Sequence, residues 1–213
     1  MIPGCACRKT GYKFAGWNTE PDGSGTMYQP GQTISDGLTV YNEDTVSLYA
    51  QWTPIKYTIQ FISQIPNLRT MAPVQMTYDA PSVLPDCEYV RDGFHFKNWK
   101  SVSYINGAIR EYNAGETSVI NALAWDGLST YFKAVWEYNI SFDANCPDAV
   151  GTMTDITVNA DISNQLPQNA YTREGYTFWG WSKNPDATFP SWVDKGYVWN
   201  IGDSTLYAVW RKK

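Results

Sequence analysis

The sequence predicts a mainly β fold of the α+β class, built from small units that repeat along the chain. The first observation is a motif, Gly-aromatic-x-Phe-x-x-Trp, that begins at Gly11, Gly93 and Gly175, at intervals of 82 residues. The second is a further motif that ends each copy at Trp52, Trp136 and Trp210. Self-similarity at a fixed interval is typical of repeat proteins, so we predict an array of units.

The repeat boundaries follow from aligning the three copies. We predict a truncated first repeat over residues 1–53, a second over 54–136 and a third over 137–213. The first copy matches only the C-terminal half of the third, because the segments that begin at Tyr57 and Tyr138 have no counterpart in it. The joints between copies are short, as in Trp136-Glu137-Tyr138, so neighbouring copies have little freedom to move independently. An extended, fairly stiff array is the resulting hypothesis.

Most of each unit is predicted to be strand. Residues 57–62 and 138–142 alternate with period two and are rich in β-branched and aromatic side chains, which is the pattern of half-buried strands. A glycine stands just before the motif tryptophan in two copies, at Gly16 and Gly180, and predicts a bulge or a close backbone approach that turns the indole inward. One helix is predicted over residues 116–125, where apolar residues fall at helical spacing behind a capping hydroxyl.

Composition excludes several classes of protein. Aromatic residues make up 15% of the chain and charged residues 17%, so the chain can fold and is not of the disordered class. The net charge of −5 argues against nucleic-acid binding, which depends on clustered Lys and Arg. No run of 18 apolar residues is present, so we predict no membrane insertion. The opening residues do not have the pattern of a secretory signal, and we expect any signal or anchor to lie outside this stretch.

Four cysteines do not match a metal-binding pattern. Cys5 and Cys7 are separated by one residue, which is the wrong spacing for a usual zinc knuckle, and no second pair follows. We expect most of Cys5, Cys7, Cys87 and Cys146 to be free or incidental, with pairing of Cys5 and Cys7 to another chain as the alternative. Neither a metal nor a cofactor is predicted.

The two motifs together resemble the Listeria-Bacteroides repeat, also called the internalin B B-repeat family. The resemblance is strongest in the third copy and weakest in the second, where Asn98 stands in place of the glycine. It implies small β-grasp, ubiquitin-like modules found in tandem in secreted or cell-wall-attached bacterial proteins, where they act as spacers or accessory adhesion modules. It carries no catalytic residues, and it implies an extracellular or cell-surface location.

Candidate chemical groups are few. The single histidine, His95, occupies an outward strand position matched by Lys13 and Thr177, and we expect a solvated side chain there rather than a base or a metal ligand. Acidic residues occur in loops without the alternating oxygen ligands of a calcium loop, so we expect them to be solvated. These loop acids are Glu20, Asp22, Asp143, Asp148 and Asp155. No nucleophile, base and orienting group can be assembled, so we predict that the protein is not an enzyme.

The tryptophans divide into two groups. Six belong to the repeated motifs and are predicted to form the core of each unit, because each copy has the same space to fill. These six are Trp17, Trp52, Trp99, Trp136, Trp181 and Trp210. We interpret the other four tryptophans as having no counterpart in the other copies. These four are Trp125, Trp179, Trp192 and Trp199. Exposed aromatics often bind sugars or protein partners.

Two functional hypotheses therefore stand. The first is a non-catalytic stalk, spacer or accessory adhesion segment of a bacterial surface protein. The alternative is a module that binds a glycan or a host protein through Trp179, Trp192, Tyr197 and Trp199. The half-repeat at the start adds the expectation that an open sheet edge is completed by self-association with a neighbouring chain.

Overall fold

A computed structural model describes residues 1–34, 45–63 and 70–213. Strands dominate this part of the chain, so the prediction of a mainly β fold is confirmed. It contains no helix, and the α component of the predicted α+β class is not confirmed. The fifteen strands in the described ranges are β1 Tyr12–Asn18, β2 Met27–Tyr28, β3 Tyr49–Pro54, β4 Lys56–Ile62, β5 Val74–Thr77, β6 Pro81–Val83, β7 His95–Ser101, β8 Glu111–Tyr112, β9 Thr117–Val119, β10 Ser129–Asp143, β11 Ile156–Asn159, β12 Asn164–Gln165, β13 Tyr176–Ser182, β14 Tyr197–Val198 and β15 Ser204–Lys212.

The helix predicted over residues 116–125 is wrong. Strand β9 occupies the start of this segment and pairs antiparallel with β6, with Ser118 opposite Ser82. Burial then alternates along the chain, since Val119 is exposed whereas Ile120 and Ala122 are buried. The buried positions thus follow a period of two, and ten residues were too few to separate that period from the helical one.

Contacts divide the chain into two compact units. Unit 1 contains the described parts of Met1–Ile62 together with Thr70–Pro85 and Ser101–Phe132. It holds a three-stranded sheet in the order β2-β1-β3, the antiparallel pair β4 and β5, and the pair β6 and β9. The predicted apolar face of β4 is buried in this unit, with Tyr57, Ile59 and Phe61 at most 4% exposed.

Unit 2 contains Asp86–Lys100 and Lys133–Lys213, together with Ser63. Its sheet has the order β11-β10-β15-β13, with β10 and β15 parallel and the outer two pairings antiparallel. The register sets Ile140 opposite Ser204 and Phe142 opposite Leu206. Tyr138, Ile140 and Phe142 are buried, which confirms the alternating face predicted for this strand.

The bulges predicted at the motif glycines are confirmed. In unit 2 the register of β13 against β15 shifts between Phe178 and Gly180, and in unit 1 that of β1 against β3 shifts between Phe14 and Gly16. Gly180 has φ +152°, and a Cβ placed there would lie 2.3 Å from the carbonyl oxygen of Trp192. Only glycine fits so close a backbone approach.

The motif aromatics form the same three-ring cluster in each copy. The motif phenylalanine lies between the two motif tryptophans, with ring centroids 4.9 to 6.1 Å apart. The clusters are Phe14 with Trp17 and Trp52, Phe96 with Trp99 and Trp136, and Phe178 with Trp181 and Trp210. Trp99, Trp136 and Trp181 are at most 3% exposed, whereas Trp17, Trp52 and Trp210 are half-buried. The edge and tilted geometries are those that aromatic quadrupoles favour.

The cysteines have two kinds of environment. Cys5 and Cys7 form a disulfide with each other, a pairing that the sequence analysis did not predict. Cys87 and Cys146 are free and half-buried.

Candidate functional site

The four predicted binding residues have different surroundings. Trp179 is half-buried and packs on Phe189 at 5.1 Å between ring centroids. Trp192 is half-buried, and its backbone exchanges hydrogen bonds with Trp181. Tyr197 and Trp199 are 63% and 64% exposed.

Trp199 lines a concave surface. The cleft around it also contains Arg91, Trp136 and Asn200, and none of the other three predicted residues. The cleft lies where the second and third copies contact each other.

The first joint is the set of contacts in unit 1 between Gly11, Tyr12 and Lys13 of the first copy and the second copy. The carbonyl of Gly11 accepts a hydrogen bond from the Ile55 N–H at 3.0 Å. The Tyr12 hydroxyl donates to the Asp79 carboxylate at 2.8 Å. These contacts attach the Gly-aromatic motif of one copy to the first hairpin of the next.

A lysine and an aspartate complete the first joint. Lys13 Nζ lies 2.5 Å from Asp126 Oδ2, while Asp126 Oδ1 accepts the backbone N–H of Lys56 at 3.0 Å. The hydrogen bond from Lys13 is the main cause that lowers the pKa of the Asp126 carboxyl, helped by the bond from Lys56. The carboxylate therefore joins two elements of the second copy to one of the first.

The second joint, in unit 2, pairs the same types of group between the second and third copies, although Asp203 stands seven residues before the final tryptophan of its copy and Asp126 stands ten before. His95 Nε2 lies 2.9 Å from Asp203 Oδ2, and Asp203 Oδ1 accepts the backbone N–H of Asn139 at 2.7 Å. The carbonyl of Gly93 accepts the N–H of Asp203 at 2.7 Å. His95 is therefore an exposed strand residue, as expected, but it also has a defined acidic partner.

A basic side chain covers the aromatic ring of the motif in every copy. Lys9 lies over Tyr12, Arg91 over Phe94 and Arg173 over Tyr176, each with 3.7 to 3.8 Å between the cationic centre and the ring centroid. A turn brings the two together, because the backbone carbonyl of each basic residue accepts the N–H of its aromatic partner. Gly11, Gly93 and Gly175 occupy the third position of this turn with positive φ. The turn thus holds a cation at a fixed place beside each joint.

Two clefts lie at these joints, one within each unit. The first cleft, of about 660 Å³, is lined by Lys9, Trp52 and Trp125 among others. The second cleft, of about 330 Å³, is lined by Arg91, Trp136 and Trp199 among others. Each therefore combines the basic turn residue of one copy, the last motif tryptophan and a tryptophan from the loop of the next copy.

Sequence reasoning missed this correspondence and wrongly treated Trp125 and Trp199 as unique. Trp125 stands eleven residues before Trp136, and Trp199 stands eleven residues before Trp210. Alignment on the first motif obscured the match, because the second and third copies differ in the length between their two motifs. Counting back from the last tryptophan, or noting Lys9, Arg91 and Arg173 two residues before each motif glycine, would have found the cleft residues.

Within residues 1–34, 45–63 and 70–213, no three His, Cys, Asp or Glu side chains lie close enough to share a metal ion. The described part of the chain also contains no helix long and apolar enough to cross a bilayer. What the geometry offers instead is aromatic surface beside positive charge at two equivalent clefts.

The fold, with its recurring aromatic clusters and repeated joints, defines a tandem-repeat protein made of small β units. The chain belongs to the Listeria-Bacteroides repeat domain family, whose model matches residues 5–51 and 138–209. The unmatched stretch between these regions contains the whole second copy, where the motif departs most from the others.

Two relatives come from Evansella cellulosilytica. A "Putative Gly-rich membrane protein" is 31% identical over 207 residues, which is 95% of this chain and 21% of that protein. A "Putative membrane protein" is 48% identical over 44 residues, covering 21% of this chain and 6% of that protein. The chain therefore spans about a fifth or less of the length of these curated relatives. No solved structure matches it significantly.

Proposed function

We propose that this chain is a non-catalytic spacer and accessory adhesion segment of a bacterial surface protein. The observation that carries the proposal is the repeated joint: two successive contacts use the same strand position, Lys13 or His95, and a bidentate aspartate, Asp126 or Asp203. Two joints that each connect a basic strand residue to a bidentate aspartate suit an array of copies in direct contact. Membership of the repeat family and the names of the two relatives support a surface location.

The proposed repeat is a β-grasp-like module with boundaries at 1–53, 54–136 and 137–213. The strand order β11-β10-β15-β13 supports this, because the first and last strands of the third copy are parallel neighbours at the centre of the sheet. A further strand lies on each side, antiparallel to its neighbour. A module of this size has room for its own modest core, formed here by the three-ring aromatic cluster.

Surface display is tested on intact cells that make the parent protein. The proposal expects a membrane-impermeant lysine reagent to label this segment, with a cytoplasmic protein as the unlabelled control. Labelling of the segment only after lysis would contradict a surface location. A binding panel of host surface proteins then tests the adhesion part of the proposal.

Self-association through the first copy is a separate part of the proposal. Among the described strands, β3 pairs with β1 alone, whereas its counterpart β15 pairs with both β13 and β10. No described strand pairs with the second side of β3, and another strand can add to an edge of this kind. Sedimentation of the intact chain over a hundredfold range of concentration should show a dimer forming, and a monomer throughout would contradict this part.

A further inference from the structure

We propose that the first and second clefts are equivalent binding sites for acidic sugar residues of a polysaccharide. This goes beyond the spacer proposal and does not depend on it, since a spacer need bind nothing along its length. Each cleft has an exposed indole, a cation fixed by the motif turn, and a motif tryptophan behind them.

The exposed indoles supply the platform for a sugar ring. Trp125 is 66% exposed and Trp199 is 64% exposed, which is unusual for the largest apolar side chain. Both come from the loop before the last strand of their copy, eleven residues before its final tryptophan. An aromatic face left open to solvent beside polar groups is typical of a binding surface, and the C–H face of a sugar ring can lie against it.

The first cleft has excess positive charge. Arg8, Lys9 and Lys13 all line it, with Asp126 as the one acidic residue among its described lining residues. Lys13 is paired with Asp126, whereas Arg8 and Lys9 have no carboxylate partner among the residues that the structure describes. Two cations therefore remain for a ligand, on a chain whose net charge is −5.

The second cleft has the same sign of charge with a smaller excess. Lys133 is paired with Asp161 at 2.9 Å, and Arg91 lies at the cleft with its guanidinium over the ring of Phe94. Asn200 occupies the place that Asp126 has in the first cleft, and its amide oxygen accepts a hydrogen bond from Arg91. The loop of the third copy thus contributes a neutral amide at this position, and this amide does not neutralise the positive charge of Arg91.

An exposed indole beside a positive charge favours an acidic sugar over other ligands. A neutral sugar would use the indole and leave the cations unpaired, whereas a carboxylate or sulfate group on the ring pairs with guanidinium or ammonium. Stacking on Tyr12 and Phe94 fixes the cations before binding, which reduces the ordering that a ligand must impose. A long nucleic acid is disfavoured, because the acidic chain lacks the clustered basic surface that such binding requires.

The test is calorimetric titration of the intact chain with a galacturonate trisaccharide, with a neutral galactose trisaccharide as the matched ligand. The expected result is two sites per chain for the acidic sugar and at least tenfold weaker binding of the neutral one. Trp125→Ala and Trp199→Ala should each remove one site, and the double variant should remove both. Lys9→Gln and Arg91→Gln should weaken the same sites and leave both indoles in place.

The controls separate a built site from general attraction. Tyr104→Ala and Phe189→Ala remove side chains that are 74% and 70% exposed and line neither cleft, so binding should be unchanged. Because all four aromatic residues are exposed, the variants should keep the parent circular dichroism spectrum. Absence of binding, binding that the cleft variants do not alter, or equal binding of polyglutamate or oligo-deoxythymidine would each overturn the proposal.

Discussion

His95 Nε2 lies 2.9 Å from Asp203 Oδ2, in the arrangement that Lys13 and Asp126 adopt at the other joint. In both cases the second carboxylate oxygen accepts a backbone N–H at the start of a copy, that of Asn139 or that of Lys56. The aspartate is therefore the common element, and the basic partner varies.

Removing the aspartate should destabilise a joint more than removing its cation. Asp203→Ala loses the bond to Asn139 as well as the contact with His95, and should cost about 1 kcal/mol. His95→Ala loses an exposed contact with Asp203 and a 3.3 Å contact with the Asn139 side-chain amide, and should cost about 0.5 kcal/mol or less. Denaturant unfolding and hydrogen exchange at the Asn139 amide measure both. Asp186→Ala is the surface control, and equal losses for the two joint variants would contradict the account.

The first joint should weaken in acid through Asp126. Its pKa is lowered, mainly by the hydrogen bond from Lys13, so its contribution is complete above the unfolded value of about 3.9 and is lost as pH falls through the folded pKa. Asp126→Asn should therefore flatten the fall in unfolding midpoint below about pH 4. Asp186→Asn should leave the profile unchanged. A parent-like acid profile in Asp126→Asn would show that the joint carboxylate is not responsible.

Alkaline pH should destabilise unit 1 through Tyr57. This side chain is 1% exposed, and burial raises its pKa to about 12 although its hydroxyl accepts a hydrogen bond from the Ala122 N–H. An unfolded tyrosine ionises near 10, so stability is complete below about pH 10 and falls between there and about pH 12. Tyr57→Phe should reduce that fall by about 2 kcal/mol, measured by denaturant unfolding, with Tyr104→Phe as the exposed control. An unchanged slope in Tyr57→Phe would refute the assignment.

The bulge in β13 should tolerate no side chain. Gly180→Ala would place a Cβ 2.3 Å from the Trp192 carbonyl oxygen at φ +152°, and should cost about 2 kcal/mol or more. Gly4→Ala meets nothing within 4 Å and should be nearly neutral. Thermal unfolding of the two variants provides the comparison. Equal midpoints would mean that the close approach does not constrain the strand.

Local patterns predicted the strands and the bulges well. Tyr138, Ile140 and Phe142 were placed on one buried face by alternation alone, because a period of two is a direct property of the extended chain. The glycine before the tryptophan also has a local meaning, since a bulge changes the direction of the very next side chain. The helix prediction over residues 116–125 was wrong because the pattern there is short and fits both the helical period and the strand period.

The joints and clefts could not be predicted in the same way. Lys13 and Asp126 are 113 positions apart, and His95 and Asp203 are 108 apart, so no local spacing indicates either pair. The cleft tryptophans were visible as a repeated distance from the final motif residue, but only the fold shows that Trp199 lies beside Arg91 of the preceding copy. The sequence therefore predicted what each copy is made of, and the structure was needed to show how one copy contacts the next.

The spacer proposal depends most directly on the array being extended in solution. Small-angle X-ray scattering of the intact chain measures its radius of gyration, to be taken at concentrations low enough to exclude any dimer. A compact chain of this length would have a radius of about 17 Å. The account predicts a value well above that, with an elongated distance distribution. A radius near 17 Å with a symmetric distribution would contradict it.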